Sequence, residues 1–150
     1  MIWRWTGYLC VLLLLAWHGV SDIREQHIPG RSLALGVALS CFGACWRGLQ
    51  GETAWIELGM ALLPGMAALV LARITGEQIG RGDGWELLFM GNCLGLADCL
   101  LALGIALVGI FLVSVVLLLL GRAGRNTRIA FVPFLWAGAA AALLIGTIRI

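Results

Sequence analysis

Asp22 and Asp83 are the residues of this chain best able to do chemistry. Asp22 lies in "SDIREQHIPGRS", directly after an apolar run, and Asp83 in "IGRGDGW", directly before one. Two carboxyls brought together cannot both ionise cheaply, so they share a proton and titrate as a unit. The ionised member can take a proton from a water molecule, whose oxygen attacks a peptide carbonyl. The protonated member can hydrogen-bond the carbonyl oxygen and stabilise the charge that develops there. Gly80 and Gly82 beside Asp83 allow a substrate chain to come close, and the free N–H groups of a helix start favour a nearby carboxylate. Glu86, one turn after Asp83, could face the same cleft or cap the helix, and the cap is the preferred reading. A single aspartate at a loop–helix junction is ordinary capping. The pair, with one member inside G-x-G-D, is what points to catalysis.

These residues need elements that bring them together, and composition says what kind. The chain of 150 residues is 61% hydrophobic and 12% charged, where a soluble domain has roughly 25% charged residues. Its mean hydropathy is +1.00. Several apolar runs approach the ~20 residues that cross a ~30 Å hydrocarbon layer. The expected fold is all-α, a polytopic membrane protein with about six transmembrane helices in a single domain over 1–150. The expected spans are 5–20, 32–46, 55–74, 84–97, 99–121 and 129–148. Between residues 84 and 120 the chain is almost continuously apolar, too long for one crossing, and Asp98 with Gly95 before it is the natural break. Pro64 should kink the third span without ending it. The first run is read as a retained span rather than a signal peptide, because everything after it is also apolar.

Charge distribution gives the orientation. With six crossings and the N-terminus outside, Arg24, Arg31, Arg73, Arg81, Arg122, Arg125 and Arg128 fall inside, against Arg4, Arg47 and Arg149 outside. This agrees with the positive-inside rule, and it places Asp22 and Asp83 on the same inner face. Trp3, Trp5, Trp46 and Trp55 fall near the outer ends, as interfacial anchors do. A net charge of +2 excludes nucleic acid as the expected partner. The arginines are read as contacts to anionic lipid headgroups. The five cysteines form no C-x-x-C pair and read as small apolar packing residues, so neither metal nor cofactor is expected.

The residues around both aspartates resemble the type IV prepilin peptidases, intramembrane aspartic proteases of the G-x-G-D kind. "DIREQHIPG" is similar to that family's D-x(5–6)-P-N motif, with Pro29 retained and Gly30 in place of asparagine. "GRGD" matches its second motif, with Trp85 where the family commonly has lysine, and "RIAFVPFLWAG" is similar to its segment opening the last span. The resemblance implies Asp22 and Asp83 as catalytic residues, with Gly80, Gly82, Pro29 and Glu86 as positioning candidates. It implies no metal and no cofactor. The implied reaction removes a basic leader peptide, usually after glycine, from prepilin or pseudopilin substrates at the cytoplasmic face of the inner membrane. The substrate's apolar N-terminal helix would lie in the membrane beside the enzyme. The cysteine-rich methyltransferase domain of longer members has no counterpart here, so the short peptidase-only form is implied.

Other polar residues carry lesser expectations. His18 reads as an interhelical packing group, His27 as a loop residue, Asp98 as the marker of a short outer turn, and Glu25 and Glu77 as acidic contacts for a basic leader. A presenilin-like protease is disfavoured because Tyr8, the sole tyrosine, is far from any aspartate. The alternative of a different class is a non-catalytic membrane protein, a transporter subunit or assembly scaffold, or a catalytically dead relative of the peptidases.

Overall fold

A computed structural model describes residues 2–25, 30–51, 53–76, 80–122 and 130–148. Apolar chain that cannot hydrogen-bond to its solvent must satisfy its backbone internally, and the described residues do so as helices alone. These are α1 (Ile2–Glu25), α2 (Gly30–Leu49), α3 (Trp55–Ala61), α4 (Leu63–Ile74), α5 (Arg81–Leu94), α6 (Leu96–Leu119) and α7 (Val132–Ile148). Helices α3 and α4 form one rod, so the bundle has six. Four rods are long and apolar enough to cross a membrane: Trp5–Arg24, Gly30–Leu49, Trp55–Ile74 and Leu96–Leu119. The chain is an all-α membrane protein.

Helix α5 is the axis of the bundle. Residues Leu87, Leu88, Phe89, Met90, Gly91 and Asn92 are buried in succession, so the helix is enclosed on every side. It packs against α4, α2, α1 and α6. Helix α6 is the opposite case, with Leu107, Phe111, Leu112 and Leu118 directed outward as an apolar surface. Its inner face carries Cys99, Ala102 and Ala106, which meet Leu135, Ala139 and Ala142 of α7. Small residues allow such close approach. A β-carbon on Gly65 would lie 2.5 Å from the backbone N of Leu88, and one on Gly138 would fall on the Ala102 carbonyl. Helix α7 also packs on α1, where Trp136 Nε1 donates to the Leu12 carbonyl at 3.0 Å.

Two details depart from expectation. The long apolar run breaks at Gly95, which has φ 85°, and not at Asp98, which sits in the first turn of α6. A positive φ is a backbone state that glycine alone adopts without steric cost, so geometry rather than charge ends the helix. At Pro64 the rod continues but is interrupted two residues earlier, at Leu62. Proline lacks the N–H that would reach back to the fourth residue before it, and its ring crowds that turn.

Candidate active site

Helix α1 carries Asp22 in its last full turn, half-buried. Its Oδ2 accepts a hydrogen bond of 3.4 Å from the backbone N–H of Val132, the first residue of α7. That amide is one of the donors a helix start leaves without an internal partner. Gly19, three residues earlier, faces Pro133 of α7 at a distance where a β-carbon would make ordinary van der Waals contact.

Asp83 occupies the first turn of α5, before the enclosed apolar part of that helix. Gly80 caps the helix with extended backbone and no side-chain bond, and its carbonyl accepts from the Asp83 N–H at 3.2 Å. The Asp83 carboxyl folds back over this residue: a β-carbon on Gly80 would lie 3.1 Å from Oδ2. Gly80 thus leaves room for the carboxyl. Gly82 lies half-buried within the same turn.

Burial pushes the Asp83 carboxyl up from 3.8 to about 7, with the charge of Asp22 as the second cause and that of Glu86 as the third. Asp22 is therefore near enough to be felt as a like charge. The bundle brings these two residues, one from each of two helices, to the same end. A carboxyl titrating near neutrality beside a second carboxyl is a group that can hold and release a proton during a reaction.

Glu86 is not a cap. It is fully buried and its Oε1 pairs with Nδ1 of His18, also fully buried, across the contact between α1 and α5. His18 Nε2 meets Ser32 Oγ at 2.8 Å, which ties in the first turn of α2. Glu86 Oε2 has no hydrogen-bond partner among the described residues. His18 is thus the interhelical group the sequence suggests, but Ser32 carries no sequence signal of its role. Pro29, His27 and Glu77 lie outside the described residues.

A groove of about 750 Å³ runs between α1 and α2, with Phe89, Asn92 and Cys93 of α5 as its floor. It extends from Thr6 and Arg47 at one end to Trp17, His18, Arg31 and Ser32 at the other. Neither aspartate lines it, so it adjoins the carboxyl pair rather than containing it. No family model, curated protein or solved structure matches this chain.

Proposed function

We propose that this protein is a membrane aspartic endopeptidase in which Asp22 and Asp83 activate water against a peptide bond. The observation that carries the reading is the convergence of two carboxyls on one end of the bundle, with Asp83 inside a G-x-G-D turn and raised by the charge of Asp22 as well as by burial. In the reaction the ionised carboxyl removes a proton from water as its oxygen bonds to the carbonyl carbon. The protonated carboxyl gives its proton to the carbonyl oxygen. As the tetrahedral diol collapses, the carboxyl that took the water proton gives it to the leaving amine, the C–N bond breaks, and the other carboxylate takes a proton from one diol hydroxyl. The proton each carboxyl gains or loses is returned over the cycle. The pair acts as a unit, without fixed acid and base roles.

The substrate class follows from the motifs around both aspartates. We infer prepilin-like or pseudopilin chains with a basic leader and an apolar helix, cut at the cytoplasmic face of the inner membrane. The excess of arginine on the inner side supports that orientation. The test is cleavage of co-expressed candidate prepilins by wild type, Asp22→Asn and Asp83→Asn at equal membrane abundance. Shortening by wild type alone supports the dyad. Equal shortening by all three removes it, and no shortening of any candidate leaves the non-catalytic reading in place.

A second reading has one specific observation behind it. Ser32 Oγ, His18 and Glu86 stand in the order nucleophile, base, acid, with Nε2 toward the hydroxyl and Nδ1 toward the carboxylate. Ser32 would then attack an ester or thioester whose acyl chain lies in the adjoining groove. Labelling of wild type but not Ser32→Ala by a fluorophosphonate decides for it. The dyad is preferred because the imidazole and carboxylate of the array are fully enclosed, which suits a structural tie better than turnover.

A further inference from the structure

Helical periodicity relates the buried array to the aspartates. Residues three or four apart stack on one face of a helix. His18 lies four residues before Asp22 on α1, and Glu86 lies three after Asp83 on α5. The same two helices therefore carry two levels of titratable side chains. The outer level is the half-buried pair Asp22 and Asp83. The inner level, one turn deeper, is the fully buried pair His18 and Glu86.

The inner level has what is needed to set the outer one. Val11 and Leu15 of α1 pack in the apolar core, where side chains of similar size are interchangeable and set register less sharply than a hydrogen-bonded pair. A hydrogen-bonded ionisable pair does specify it, because sliding or rotating one helix leaves a buried carboxylate without its partner. One residue of slip moves a side chain by about 1.5 Å along the axis and turns it by about 100°. With Nδ1–H given to Glu86, Nε2 accepts the Ser32 hydroxyl, so the imidazole plane is held from both sides. Helix α2 is held to α5 at the other end by Asn92 Nδ2, 3.3 Å from Ser40 Oγ.

We propose that Ser32, His18 and Glu86 form a positioning clamp that fixes the register and rotation of α1 against α5, so that Asp22 meets Asp83. His18 and Glu86 are positioning residues and touch no substrate. The catalytic meaning of the clamp rests on the aspartic-peptidase reading, whereas its geometric content does not.

Two readouts separate the two. In a background with the five native cysteines replaced by alanine, Asp22→Cys with Asp83→Cys is crosslinked in membranes by a short bifunctional thiol reagent. A control pair, Cys41 restored with Asn92→Cys, reports the α2–α5 contact, where Cys41 Sγ and Asn92 Nδ2 are 3.2 Å apart. The clamp predicts that His18→Leu takes the first crosslink to background while the control crosslink persists. Persistence of the first crosslink overturns the proposal. Equal loss of both also overturns it, because the array would then hold the whole bundle and not the dyad. With the aspartates intact, misplacement by about an ångström predicts a kcat loss of about 100-fold in His18→Leu, with KM within about twofold. Partial recovery in His18→Gln, which keeps a donor toward Glu86, supports positioning over charge. If the wild type cleaves nothing, the peptidase reading fails while the crosslinks still decide the clamp.

Discussion

Replacing Asp83 with asparagine should change how stability depends on pH, and the site sets the size of the change. Unfolded, the carboxyl titrates at its ordinary 3.8; folded, it titrates at about 7, raised by burial first, then Asp22, then Glu86. Below the unfolded value both states hold the proton, and the contribution to stability is fully present. Between the two values the folded state holds a proton that the unfolded state has lost, so stability falls as pH rises. Above the folded value both states are ionised and the contribution is gone. A shift of about three units at 1.36 kcal/mol each gives about 4 kcal/mol as an upper bound. The carboxyl keeps partial solvent contact, which screens its charge, so about 2 kcal/mol is the working magnitude. Asparagine keeps the shape and cannot ionise. The stability of Asp83→Asn minus that of wild type should therefore rise by about 2 kcal/mol from pH 4 to pH 8. Unfolding of both proteins in detergent across that range measures it, and the subtraction cancels the other carboxyls. A difference that is flat with pH, or largest at the acidic end, refutes the reasoning. In an Asp22→Asn background the upper edge of the window should move to lower pH, because one of the two like charges is removed.

Three further outcomes follow from the packing. Gly138→Ala places a β-carbon on the Ala102 carbonyl and should cost about 1–3 kcal/mol of unfolding free energy, while Gly43→Ala, which meets nothing within 4 Å, should not destabilise. Gly80→Ala puts a β-carbon 3.1 Å from Asp83 Oδ2 and should displace the carboxyl, lowering cleavage by about tenfold with unfolding unchanged. Trp136→Phe removes the 3.0 Å bond to the Leu12 carbonyl and should lower stability by about 1 kcal/mol in the same unfolding assay.

The rods of the bundle were legible because a membrane helix announces itself by length and apolar content. The ends were less so. Asp98 looked like punctuation because charge is conspicuous in an apolar run, yet Gly95 makes the turn and Asp98 joins the helix start, where an acidic side chain suits the N-terminal dipole. Pro64 does not end the rod, as its place in an apolar run implies, and the interruption falls at Leu62, where the missing proline N–H is felt.

Glu86 shows why local pattern reading stops short at a site. One turn into a helix, a glutamate looks like a cap by every rule that considers its own neighbours. Its partner, His18, is 68 residues away, and neither helix contains a local trace of the other. The constraint is nevertheless present in the sequence once both helices are treated as apolar surroundings. A carboxylate enclosed in a membrane bundle is expensive unless something pairs with it. His18 is the titratable residue one turn inward from Asp22, as Glu86 is from Asp83. If the two aspartates meet, helical spacing puts the two inner residues on the facing sides of the same two helices, where they can meet as well. The proposed convergence of the dyad and the burial of the His18–Glu86 pair are therefore one geometric statement, and a perturbation that separates either pair should separate the other.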